Sequence, residues 1–247
     1  MDWQPVSPLV FMWWNTGLSP PVHSLKSTSE DTDFVVAQIR EMRQRSRFAV
    51  LGLAEVQTAD LDAIVSGLGD PALICLDSSD RTQRLMHDTA LIYDQSALTC
   101  IDRRSLIERF GKRQMKLGQL TVFETKQGAV PIYVVTSHWP SRRSVPERAA
   151  RKTELGTLLR KSLEQFRELN RNPYIVLMGD YNDDPFSPSL AEHLLATCDR
   201  ELARRNPQFF YNPFWRWLGE SQSSELAARL PLPPYFCGHS GARGTGR

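Results

Sequence analysis

Cysteine is scarce. The chain carries four, Cys75, Cys100, Cys198 and Cys237, and no two stand at a C-x-x-C spacing. That excludes a cysteine-based zinc cage and offers no disulfide framework, so reduced thiols in a cytoplasmic protein are the expectation. Long apolar runs are also missing. The N-terminal run Pro8 to Trp14 is far short of the roughly 20 residues a membrane helix needs. It has no basic leader and no small-residue cleavage site, so neither a membrane span nor an export signal is expected. Charge of one sign is lacking too: Lys+Arg 30 against Asp+Glu 28 leaves +2, which names no partner by bulk electrostatics. There is no internal repeat.

What is present is a globular chain of 247 residues, 41% hydrophobic and 23% charged, long enough for one sizeable core. Alternating strand and helix patterns predict an α/β architecture. Tyr174 to Pro185, YIVLMGDYNDDP, is its most informative stretch. Five apolar residues too few for a helix read as a central strand covered on both faces. Gly179 ends the strand, and Asp180, Asn182, Asp183 and Asp184 crowd the turn that follows. Either these carboxylates serve only their own backbone in an Asx-rich turn, or they are oxygen donors for a hard cation held at a strand end.

Other strands end the same way. Leu9 to Trp14 delivers Asn15, Phe48 to Ala54 delivers Glu55, and Pro131 to Thr136, the second arm of a hairpin begun at Leu120 to Glu124, leads to His138. Between them, Ser29 is placed to cap a helix carrying Val35, Ile39 and Met42, across a loop from Thr16 to Thr28 expected to lie over the site. Thr58 is placed to cap a second helix with Leu61, Ile64, Val65 and Leu68 on one face. Strands at Ala72 to Leu76 and Thr89 to Tyr93 complete a first half. A Ser144/Glu147 capping box opens a long helix with Leu155, Leu158, Leu159, Leu163 and Phe166 as its apolar stripe. Ser187-Pro188 starts another, on which His193 reads as a surface residue. The basic stretch Arg103, Arg104, Arg109, Lys112, Arg113 and Lys116 reads as a solvated helix face. A second one holds Arg142, Arg143, Arg148, Arg151 and Lys152.

The ordered set WWN at Trp13 to Asn15, LAEVQ at Leu53 to Gln57, TSHW at Thr136 to Trp139 and GDYN at Gly179 to Asn182 resembles the endonuclease/exonuclease/phosphatase family. The resemblance implies a four-layer α/β sandwich, DNase I-like, with two mixed β-sheets flanked by helices. It also implies metal-dependent hydrolysis of a phosphate ester. It makes Asn15, Glu55 and Asp180 the metal set, for Mg²⁺ with Mn²⁺ as a substitute. It makes His138, Asp180 and Asn182 catalytic, Asp180 orienting or deprotonating water and the other two meeting phosphoryl oxygens. Two carboxylates about 4 Å apart repel by roughly 4 kcal/mol at an effective dielectric of 20, so a divalent cation is the natural way to keep both ionised. Arg142 and Arg143, just after His138, are expected to bind substrate phosphate. They favour DNA or RNA slightly over a nucleotide, lipid or sugar phosphate.

The ending departs from that family. Its usual terminal Asp-His has no counterpart, and the only late histidine, His239, sits in Cys-Gly-His-Ser. The expectation is a domain over residues 1–220 with its C-terminal strands incomplete, then an atypical segment, 221–247, of disordered composition. A truncated or altered C-terminus would impair hydrolysis. The alternative function is a catalytically inactive family member acting as a binding domain.

Overall fold

The computed structural model describes residues 8–19, 27–79, 81–82, 85–86, 88–126, 128–141, 147–169 and 173–217. In chain order the elements are β1 (Phe11–Asn15), α1 (Ser29–Ser46), β2 (Val50–Ala54), α2 (Thr58–Leu68), β3 (Leu73–Asp77), β4 (Arg81–Thr82), β5 (Leu85–Met86), β6 (Thr89–Asp94) and β7 (Leu98–Phe110). There follow β8 (Arg113–Thr125), β9 (Gly128–His138), α3 (Glu147–Leu169), β10 (Tyr174–Asp180), β11 (Ala196–Thr197), α4 (Arg200–Arg205) and β12 (Phe210–Tyr211). The chain through Asn212 is one compact unit, and Pro213–Trp217, a 3₁₀ turn, opens a second. No helix among the described residues is long and apolar enough to cross a membrane.

Two four-stranded mixed sheets, β1-β2-β6-β3 and β10-β9-β8-β7, carry the fold. Strand alternation builds the layers. On β2, Val50 joins Leu98, Phe123, Val134 and Met178 between the sheets. Its neighbours Leu51 and Leu53 turn the other way, onto Val35, Ile39 and Ile64 of α1 and α2. On β9, Val134 faces the first sheet while Val135 packs with Leu155, Leu159 and Leu163 of α3. Helix, sheet, sheet and helix therefore stack as the expected four-layer sandwich.

Several local expectations change. The Tyr174 to Asp180 strand, expected at the centre of its sheet, is an edge strand among the described residues. Its apolar run reports two covered faces, Val176 and Met178 toward the first sheet and Ile175 and Leu177 toward the α3 layer, not two paired edges. The basic stretch around Arg103 is no helix. It forms the β7–β8 hairpin, turning at Gly111 with φ 59°, and β7 spends most of its length exposed, which is why its hydrophobic period is faint. Thr28, one residue before Ser29, caps α1. The Thr58 hydroxyl donates to Asp77, while Asp60 accepts the Gln57 N–H at the start of α2. Val65 is exposed instead of inward. The Ser187-Pro188 helix is a single π-turn, Ser189–His193, with His193 half-buried and hydrogen-bonded to Thr157. Ser144, the loop segment 20–26, Arg142, Arg143, His239 and the whole of 221–247 lie outside the described residues.

One close approach sets the geometry next to the site. Gly179 pairs with Ser137 across the parallel β9–β10 ladder, and a Cβ there would fall 2.2 Å from the Ser137 carbonyl oxygen. Gly179→Ala is expected to destabilise the protein by about 1–3 kcal/mol through overpacking of backbone that cannot move aside. Urea denaturation checks this, and an unchanged midpoint would contradict it.

Candidate active site

Strand registry gathers the polar residues at one end of the sandwich. β1 runs parallel to β2 with Asn15 opposite Ala54, so Asn15 stands level with the start of the Glu55 turn. β10 runs parallel to β9 with Asp180 opposite His138. The sheets face each other, and the Asn15 side chain spans the gap. Its Nδ2 donates to Glu55 Oε1 at 3.1 Å and to Asp180 Oδ2 at 3.3 Å, while its Oδ1 accepts the Gly17 N–H at 3.2 Å. One amide thus holds a carboxylate from each sheet toward a common point.

Both sheet ends use left-handed backbone, uncommon outside glycine. Glu55 has φ 55° and Asn182 φ 52°. The Glu55 carbonyl is held by the Ser19 N–H at 2.6 Å and the Thr16 hydroxyl at 3.3 Å. The Asn182 N–H donates to Asp180 Oδ1 at 2.8 Å, and its side-chain Nδ2 donates to the Trp139 carbonyl at 2.9 Å. The Trp139 N–H in turn donates to the Asp180 carbonyl at 2.9 Å. The Glu55 turn is tied to the Thr16–Ser19 loop and the Asn182 turn to Asp180 and Trp139, and these contacts fix the two sheet ends that carry the carboxylates.

His138 completes the cluster through a partner that sequence patterns did not single out. Because a carboxylate only accepts, the Nδ1–H of His138 donates to Asp88 Oδ2, at 2.6 Å. Nε2 is left 3.9 Å from Glu55 Oε1. Asp88 is 5% exposed and also accepts from Lys116 Nζ at 3.4 Å. Burial pulls the imidazole pKa down, but the hydrogen bond and charge of Asp88, with Asp180 and Glu55 beyond, lift it above its ordinary 6.5. Asp88 moves the other way. Burial raises its pKa, and His138 with Lys116 outweighs that and holds it below 3.8. Lys116, largely desolvated, is lowered despite the same carboxylate.

Asp88 precedes β6, and β6 runs antiparallel to β2 with Thr89 opposite Ala54. The start of one strand therefore meets the end of another. An acid directly before a short apolar run was the available signal, had the antiparallel direction been known.

Asn15, Glu55, Asp88, His138, Asp180 and Asn182 therefore share one cluster. A model described as the Endonuclease/Exonuclease/phosphatase family matches residues 29–224. The chain belongs to that family. The match places it among phosphoester-hydrolysing proteins. No curated protein matches the chain. Among solved structures it is similar to the human Nocturnin catalytic domain with bound sulfate anion, with a TM-score of 0.58, 15% identity, and coverage of 86% of this chain and 79% of that one. It is similar to an endonuclease/exonuclease/phosphatase family protein from Bacteroides thetaiotaomicron, with a TM-score of 0.54, 15% identity and coverage of 74% and 65%. A humanized D. rerio TDP2 follows, with a TM-score of 0.53, 17% identity and coverage of 75% and 67%. At such identities these likenesses establish the fold. The chain spans less than two thirds of the Bacteroides protein.

Proposed function

We propose that this endonuclease/exonuclease/phosphatase family member is a Mg²⁺-dependent phosphoesterase, with Mn²⁺ able to substitute, and that a nucleic-acid phosphodiester is its favoured substrate. The observation that carries this reading is the Asn15 amide drawing Glu55 and Asp180 to one point. The donor set suits the ion. Two carboxylates and an amide are hard ligands, and Mg²⁺ is commonly bound by one or two carboxylates while keeping several waters. Glu55 and Asp180 would hold it, and Asn15 orients their oxygens and would add its own with the amide turned over. Such an ion neutralises charge developing on a transferred phosphoryl group.

The chain's own residues supply the rest. Asp180, fixed through Oδ1 by the Asn182 N–H, orients or deprotonates the attacking water. His138, whose imidazole Asp88 biases toward the protonated form, turns Nε2 toward the same point, from which the imidazolium would donate to a phosphoryl oxygen. The Asn182 amide spends one N–H on the Trp139 carbonyl, and its second is directed to another phosphoryl oxygen.

Substrate class is tested by comparing single- and double-stranded DNA, RNA and a small phosphomonoester in Mg²⁺. Faster cleavage of nucleic acid is expected. Background rates on every nucleic acid beside turnover of the monoester would move the assignment to a small-molecule phosphatase. Tight binding without any turnover would favour a binding domain.

A further inference from the structure

Lys152 is one of the most deeply buried charged residues of the described chain, 3% exposed. It lies on the apolar stripe of α3, three residues before Leu155 and seven before Leu159, where helical periodicity calls for another aliphatic side chain. An ammonium in such a place is costly unless it is paired. Its Nζ donates to the backbone carbonyl of Asn182. Lys152, part of a basic run in the sequence, is thus enclosed by the protein and does not stand on its surface.

Asn182 is the residue whose left-handed backbone aims the Asp180 turn. Its N–H is fixed on Asp180 and its side chain on Trp139, both from the sheet side. Lys152 holds the carbonyl from the helix side. The helix is itself braced against the segment after the turn. A Cβ at Gly156 would fall 2.2 Å from the Ser189 carbonyl oxygen, and the Ser189 hydroxyl donates to Asp183. Helix, turn and π-turn thus form one rigid support under the carboxylate.

We infer that Lys152 is a positioning residue for phosphoester hydrolysis, acting through Asn182 to hold the Asp180–Asn182 turn in its reactive geometry without touching substrate. The inference rests on the hydrolase reading. Displacement of a reacting group by about 1 Å can cost about 10²-fold, so Lys152→Met is expected to lower kcat by about that factor with little change in KM.

The test pairs kinetics with hydrogen–deuterium exchange. In Lys152→Met, peptides covering 180–184 should exchange faster while those from the β1–β2 region keep wild-type rates. Starting from Asp180→Asn, where the carboxylate that Lys152 helps to position is already replaced, adding Lys152→Met should cost little further activity. Should the methionine variant fail to fold, Lys152→Gln, which keeps a donor, serves in its place, with a smaller kcat loss and the same exchange pattern. A folded variant with wild-type kcat, or an equal loss in both backgrounds, would overturn the inference. Wild-type protein without turnover would overturn the hydrolase reading and the kinetic claim with it. Exchange at 180–184 then judges the anchoring separately, and unchanged rates would refute that as well.

Discussion

Asp180→Asn should reduce hydrolysis by about 10³-fold or more, within the 10²–10⁴ that a positioned acid or base supplies plus the loss of a charged metal ligand. The substitution keeps an oxygen for the Asn182 N–H. It also puts an amide N–H₂ where Oδ2 now accepts from Asn15 Nδ2 at 3.3 Å. Two donors then face each other across the sheets, so Glu55 loses the geometry shared with its partner. Thermal stability should change far less than activity, because Asp180 lies at a strand end and in none of the three hydrophobic cores. Steady-state kinetics beside a melting curve separates the two. A variant with near wild-type kcat would remove Asp180 from the chemistry.

The second large effect concerns Asp88, whose charge is enclosed with His138 and Lys116. Asp88→Asn removes the carboxylate that both His138 and Lys116 contact, and breaking a buried ion pair typically costs about 3–5 kcal/mol. The pH dependence has a definite direction. His138 is raised above 6.5 in the folded protein, so its contribution is fully present below that value and is lost as pH rises through the folded pKa. Asp88 is held below 3.8, so its contribution is present above that value and is lost as pH falls through the lower folded pKa. The pair therefore stabilises most between those two ordinary values. In Asp88→Asn the stability advantage of this window should vanish, and the alkaline limb of kcat/KM should move to lower pH because His138 releases its proton more readily. Urea midpoints across pH, with a kinetic pH profile, check both. An unshifted alkaline limb would show that Asp88 does not control the imidazole.

Which parts were legible follows from how each residue reaches the cluster. Asn15, Glu55, His138 and Asp180 each end an apolar run, and strand direction alone carries them to one edge. Asp88 begins its strand, so only the antiparallel pairing of β6 with β2 brings it there, and local sequence does not state pairing direction. Lys152 was visible as a break in a helical stripe, but its charge matched the neighbouring basic residues and masked its position. The β7–β8 hairpin stayed hidden because an exposed strand has one covered face and many polar side chains. The edge position of β10 was misread for the opposite reason, since two covered faces make an edge strand as apolar as a central one.

The most direct test of the account is a Mg²⁺ titration of bis-p-nitrophenyl phosphate hydrolysis by the wild-type protein and by Glu55→Gln. Saturable, metal-dependent turnover that disappears with chelator and falls to background in Glu55→Gln is the predicted result. Turnover independent of added metal, or equal in the two proteins, would contradict the assignment of Glu55 and Asp180 as the cation-holding pair.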